Sequence, residues 1–417
     1  MRLAALIVAL SVTRIVSTYW VFNHVMDEPT HIACGLEWLE RHTYTYELLH
    51  PPLARVAVAM GPWLLATRNV DGRELPSKNP LVLYNSRSYE TTLASARAGQ
   101  LPFFVAAAFV VFLWARRLEG PLAGVLSLLL FTTLPSILGH AGLATTDMAV
   151  AAGVAAALFC LILWLEQPTR ARAVLVGFVC ALGILTKFTF FLFFPAGAAI
   201  ILILRPYRKR FPLLTWLKRV ALAVLVCFLT VWAGYRFGVT HGPAGEVYLG
   251  LREGYEDNLA GRDAYLLGER SSSGWWYFFP VVLFYKTPLP FLALAVAGGI
   301  LAFRRGRGLW TPFLCAVAML AVVLPSRINL GVRHVLPVYP LLAITAGCAA
   351  AWMLRSQSRA VKAACLLLLA WHGGASALAH PDYTAYFNEL AWGEPEWIRV
   401  DSDLDWGQNV ARLGRRL

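Results

Sequence analysis

The sequence is short of charge: Asp, Glu, Lys and Arg make up 15% of its 417 residues, against 58% hydrophobic. A soluble chain carries about 25% charged residues, so this one has too little polar surface to meet water on all sides. Lysine is scarcest, six against 31 arginines. The seven cysteines form no CxxC pair, show no zinc spacing and sit within or beside apolar stretches. They offer no disulfide framework and read as small buried hydrophobes. No internal repeat and no inverted-repeat transporter signature is present. The formal charge of +13 does not indicate nucleic acid, because the basic residues fall in short runs between apolar stretches rather than on one module.

Those apolar stretches are what the sequence has in abundance. Crossing a ~30 Å hydrocarbon core takes about 20 apolar residues. Runs at 3–22, 100–115, 121–140, 146–165, 173–188, 190–204, 214–234, 287–303, 309–325, 335–354 and 360–379 predict an all-α polytopic membrane protein of about eleven transmembrane helices. The pair 173–188 and 190–204 is short and abuts. The first run lacks a small-x-small cleavage site and carries Arg14 mid-way, so it reads as a retained anchor. Arg14 is expected to turn into the bundle toward a polar partner.

Orientation follows from charge. With the N-terminus cytoplasmic, the cytoplasmic ends carry Arg2, Arg116, Arg117, Arg170, Arg172, Arg205, Arg208, Lys209, Arg210, Lys218, Arg219, Arg304, Arg305, Arg307, Arg355, Arg359 and Lys362. Every acidic residue except Glu119 and Glu166 falls on the other side, the bias that the positive-inside rule describes. A membrane module over 1–379 then exposes loops 23–99 and 235–286 on the extracytoplasmic face, with the tail 380–417. Loops of this length tend to be functional, and the first is expected to carry an interfacial amphipathic helix from about Pro51 to Ala66. The Ala, Leu and Arg bias points to a bacterial source, and hence to the plasma (inner) membrane.

The chemistry-bearing residues gather at the predicted outer ends of the spans. Asp27-Glu28-Pro29 follows the first span directly. Asp27 reads either as the N-cap of a following helix that starts with Pro29 or as a general base, and the two coexist. His50-Pro51-Pro52-Leu53 reads as a structural turn or as part of the same surface. Asp147, in Thr145-Thr146-Asp147, is a cap or a second acid facing Asp27. Lys187, Lys286 and the pair Arg333-His334 stand at further boundaries, as snorkelling anchors or as cations for a phosphate. In the tail, Asp401-Ser402-Asp403-Leu404-Asp405 has the opening spacing of a calcium loop. It lacks Gly at the sixth position and has Arg412 where the closing Glu would stand, so no metal site is assigned.

Asp27-Glu28, His50-Pro51-Pro52-Leu53, Thr146-Asp147, Lys187-Phe188 and Arg333-His334-Val335-Leu336-Pro337-Val338-Tyr339-Pro340 together resemble the GT-C membrane glycosyltransferases. The likeness is to the protein O-mannosyltransferase and lipid A aminoarabinose-transferase type. Tyr386-Phe387-Asn388-Glu389 and Asp401 to Gln408 resemble tails of bacterial members. The resemblance runs from Asp27 to Gln408 and implies inverting transfer of a sugar from a polyprenyl-phosphate donor. The acceptor is an unassigned glycan, lipid or protein on the extracytoplasmic face. It implies Asp27 as general base, with Glu28 and Asp147 holding the acceptor or tuning Asp27. Lys187, Lys286 and Arg333 would stabilise the departing phosphate, with His334 beside them and His50 contacting the phosphate or shaping the loop. Membrane lipid is an expected partner, nucleic acid is not, and dependence on a divalent cation is left open. Many relatives carry larger soluble domains after the membrane core; here acceptor recognition is expected to fall to the loops or to a partner. The competing expectation, a transporter or flippase of a lipid-linked sugar, requires polar residues in broken helices near the bilayer midplane; only Arg14 lies so deep.

Overall fold

The structure, a computed structural model, describes residues 2–69, 81–204, 212–305 and 307–417. Arg205, Arg208, Lys209 and Arg210 lie outside them, as do the side chains of Arg304, Arg305 and Arg307. Helices form at the apolar runs: Arg2–Val16, Leu101–Thr132, Pro135–Ala141, Asp147–Glu166, Arg170–Ile184, Phe190–Leu204, Leu213–Gly234, Leu289–Arg305, Arg307–Val323, Val338–Arg355 and Arg359–Leu378. Among the described residues five helical stretches are long and apolar enough to cross a membrane, or six with the pair Phe278–Lys286 and Leu289–Phe303, which bends by 117°. The chain is therefore a multi-pass membrane protein, and among the described residues length and composition alone identify five or six of its crossings. Arg170–Ile184 has 15 residues, about 22 Å at 1.5 Å per residue, short of the hydrocarbon thickness.

Two expected spans, 100–115 and 121–140, fall largely in one run, Leu101–Thr132, which breaks at Glu119 and Gly120. A side chain at Gly124 would meet Phe112 and Arg116, so the chain doubles back there. The last part of 121–140 instead forms the separate helix Pro135–Ala141, because Leu134 is extended, as a residue before proline tends to be.

Burial sorts the helices. Asp147–Glu166 and Val338–Arg355 are apolar all round and mostly buried, as central helices are. Val338–Arg355 packs along Leu101–Thr132, where a Cβ on Gly347 would lie 2.1 Å from Ser127 Oγ. Small residues allow such close crossings. Leu213–Gly234 is peripheral and exposes Leu217, Val224, Leu225, Phe228 and Leu229, a surface suited to lipid rather than water. Arg14 turns inward as expected: its guanidinium donates to Ser376 Oγ at 3.0 Å and to the Ser376 carbonyl at 2.6 Å.

The segments between the membrane helices build the platform for the site. Glu28–Glu40, Pro52–Leu64 and Tyr89–Ala98 share a small core of Ile32, Leu36, Val58 and Leu93. Pro52–Leu64 stands where the interfacial helix was expected and exposes Met60, Trp63 and Leu64. The second loop departs from the all-α expectation with one antiparallel hairpin, Ala264–Leu266 against Glu269–Ser271. Its turn puts Leu267 and Gly268 at positive φ, the geometry of tight hairpins. The chain shows no Asn-Gly or Asp-Gly there, so the usual sequence signal is missing.

Candidate active site

Asp27 occupies the N-cap position of Glu28–Glu40, yet its side chain makes no capping bond. Its Oδ2 instead accepts a 2.7 Å hydrogen bond from Arg333 Nη1, in the short turn Val332–Val335. Gly331, just before it, has φ 116°, and a Cβ there would meet the Asp403 carboxylate at 2.6 Å. That position favours glycine on both grounds. Asp403 Oδ1 accepts from the Val332 amide at 3.0 Å, and the Arg333 guanidinium lies 4.0 Å over the Trp406 ring, a cation–π geometry.

Asp147 opens the central helix Asp147–Glu166. Its Oδ1 accepts from Lys187 Nζ at 2.6 Å, and both side chains are almost wholly buried. Arg333 is within electrostatic reach of both acids, so the two ion pairs are neighbours at one end of the bundle. Burial works to raise the Asp27 carboxyl. The guanidinium of Arg333, His31 and the Arg333 hydrogen bond outweigh it and hold Asp27 below its ordinary value. Asp27 is thus ionised at neutral pH while remaining about a third exposed.

Three histidines surround these pairs. His31, one turn after Asp27, accepts at Nδ1 from Arg55 Nε at 3.1 Å; burial, then Arg55, pushes its pKa down to about 3. His50 lies 5.3 Å from it between ring centroids, and burial with Arg55 pushes it well below 6.5. His334 stacks on Phe279 at 6.4 Å and is lowered by burial, Lys187 and Arg333. All three are neutral at physiological pH. Among the described residues no three His, Cys, Asp or Glu side chains converge as ligands for a metal ion.

Two of the expected site residues stand among other partners. Glu28 is fully buried, and both its oxygens are occupied: Oε1 by Arg97 Nε and the Ala144 amide, each at 2.8 Å, and Oε2 by Arg97 Nη2 and the Val25 amide, each at 2.9 Å. It holds the loop that presents Asp27 and has no oxygen left for an acceptor. Lys286 stands at the bend before Leu289–Arg305, and Nζ donates to the carbonyls of Thr384 at 2.7 Å and Asp403 at 2.6 Å. It also lies 4.1 Å from the Phe387 ring centroid. These contacts tie Lys286 to the docking point of the tail. Asn388 adds to the clamp, donating to the carbonyls of Phe284 and Thr287 at 2.6 and 3.0 Å. Replacing Lys286 by Met keeps the packing and removes both donors. Each hydrogen bond from a charged group contributes about 1.5–3 kcal/mol, so limited proteolysis is expected to cut the tail of the variant faster than that of the parent.

His31, Arg55 and Arg97 carried no motif in the sequence. For His31 the available signal was its i+4 spacing from Asp27, which puts both on one helix face. The arginines pair with acids 8 and 69 residues away, and neither partner is marked by local spacing.

The arrangement is a multi-pass helical bundle with paired acids and cations at one end. Residues 90–233, about a third of the chain, match the family model for dolichyl-phosphate-mannose-protein mannosyltransferase. It is similar to the crystal structure of ArnT from Cupriavidus metallidurans bound to undecaprenyl phosphate, with TM-score 0.66 and 20% identity over 92% of this chain and 65% of that one. It is also similar to the apo oligosaccharyltransferase of Archaeoglobus fulgidus, with TM-score 0.56 and 12% identity over 96% and 60%. AglB from the same organism, in complex with an inhibitory peptide and a dolichol-phosphate, gives 0.54 and 13% over 90% and 56%. The chain spans under two thirds of the length of each of these three. No curated protein matches it significantly by sequence.

Proposed function

We propose that the chain is a glycosyltransferase that moves a sugar from a polyprenyl-phosphate carrier to an acceptor hydroxyl at the face bearing the two ion pairs. The observation that carries this reading is the meeting of Asp27–Arg333 and Asp147–Lys187 at one end of an apolar bundle. A lipid-linked donor keeps its tail in the bilayer and its phosphate at the interface, so its reacting bond arrives where these groups stand. The likeness to ArnT with undecaprenyl phosphate and to AglB with dolichol-phosphate supports a lipid-phosphate donor. The positive-inside bias supports an extracytoplasmic site in a bacterial plasma membrane, with a cytoplasmic N-terminus.

In this reading the acceptor oxygen attacks the anomeric carbon as its proton passes to the Asp27 carboxylate. The bond from that carbon to the phosphate oxygen breaks, the configuration inverts, and the phosphate leaves with an added negative charge. Lys187 and Arg333 are placed to stabilise that charge, with His334 beside them, while Asp147 holds Lys187. Arg333 is shared. As it turns from Asp27 toward the leaving phosphate, Asp27 loses its counter-ion and becomes a stronger base while the donor is bound.

The test follows release of free lipid phosphate by detergent-purified protein supplied with polyprenyl-phosphate sugars and a cell-envelope extract as acceptor. Turnover with one donor is expected, falling about 10²–10⁴-fold in Asp27→Asn with donor binding retained. Binding without turnover in the parent would sink the enzymatic reading in favour of transport. Turnover unchanged by Asp27→Asn would keep the enzyme and move the base to another group.

A further inference from the structure

We propose that His31 is a substrate-contacting residue, a hydrogen-bond donor to the donor lipid's phosphate, with its imidazole fixed by Arg55 as the Nε2–H tautomer. The inference rests on the site reading above. A guanidinium has donors and no acceptor. Arg55 Nε faces His31 Nδ1 at 3.1 Å, so Nδ1 must present its lone pair and a neutral ring must carry its hydrogen on Nε2.

Arg55 cannot turn aside. It is wholly buried, and its Nη1 donates to Tyr44 Oη at 3.0 Å and to the carbonyls of Glu47 and His50 at 2.9 and 3.2 Å. Its Nη2 pairs with the Glu47 carboxylate. The tautomer is therefore set by a rigid partner rather than by solvent.

The other ring nitrogen is left open. Among the described residues Nε2 of His31 has no hydrogen-bond partner, and it is not sealed off as the unpartnered Nδ1 of His50 is. The His31 amide donates to the Asp27 carbonyl at 3.1 Å, which sets the ring one turn from Asp27 on the same face. Asp27, Asp147 and Lys187 all act on the ring electrostatically. An accessible N–H donor can take up an arriving acceptor, and the acceptor that fits beside Lys187 is an anionic oxygen. A neutral donor adds a hydrogen bond there without competing with Arg333 or Lys187 for the two carboxylates, which a third cation would do.

Two substitutions separate this role from a structural one. His31→Asn sets an amide oxygen near the Nδ1 position, keeping a partner for Arg55 and deleting the Nε2 donor. His31→Gln reaches the Nε2 position with an amide N–H and gives up the Arg55 contact. Undecaprenyl phosphate binding is measured by calorimetry in detergent, beside the thermal stability of each variant. His31→Asn is expected to keep parent stability and to bind about 10–100-fold more weakly, the worth of one hydrogen bond to a charged group. His31→Gln is expected to be less stable and to bind more tightly than His31→Asn. Parent-like binding by His31→Asn overturns the proposal, and so does a ring protonated on Nδ1 in the ¹⁵N-histidine spectrum of the parent. Binding by the parent without sugar transfer to any acceptor defeats the enzymatic reading and leaves His31 its role. A parent that does not bind the lipid phosphate overturns both.

Discussion

Arg97→Met is expected to destabilise the protein by about 3–5 kcal/mol, the usual result of removing one partner from a buried ion pair. Arg97 and Glu28 are both closed to solvent and joined by two hydrogen bonds of 2.8 and 2.9 Å. The remaining donors of Arg97 satisfy the carbonyls of Tyr19, Phe22 and Asn23, where the chain leaves its first helix. Methionine fills much of the same space, strands a carboxylate and leaves three carbonyls without that donor. The double variant Glu28→Gln/Arg97→Met removes the stranded charge and should regain part of the loss, with a coupling of about 0.5–3 kcal/mol. Unfolding of the four proteins in mixed detergent micelles measures the cycle. Additive losses would mean that the two residues do not act as a pair.

The second large effect concerns Arg333. Arg333→Gln is expected to lower turnover about 10²–10³-fold, as loss of a charge-stabilising donor does, and to shift the acid limb of the kcat/KM profile upward. The sign follows from the forces on Asp27. Burial raises its carboxyl, while the Arg333 guanidinium, His31 and the hydrogen bond lower it further, for a net depression. The ionised Asp27 of the parent therefore persists below the usual value of about 3.9. Without the guanidinium, burial and the nearby Asp147 charge dominate, and protonation begins at higher pH. Stability follows the same sign: a depressed pKa stabilises above the unfolded value and loses that contribution as pH falls through the folded one. A rate loss with an unmoved acid limb would separate Arg333 from the base and leave it a role at the phosphate alone.

The sequence by itself determined the class of environment and the segments where charged side chains would gather. Low charge and long apolar runs require a bilayer, and the charge asymmetry assigns Asp27, Asp147, Lys187 and Arg333 to span ends on one side. The structure brings those four together. It needed no long-range information to find them, because an ionised group beside an apolar run is conspicuous in a chain with so few. Which acid meets which cation was decided by tertiary structure. Asp27 pairs with a residue 306 positions away, and no local spacing encodes that distance. Glu28 reads as a twin of Asp27 in sequence. One residue further along the helix, a rotation of about 100°, its side chain meets Arg97. Lys286 likewise has the position of a phosphate ligand. Only the return of the tail shows its ammonium donating to the carbonyls of Thr384 and Asp403. Local propensity and hydropathy act over a few residues and fix elements and their polarity. The pairing of buried charges is a property of packing, and packing is set by the whole bundle at once.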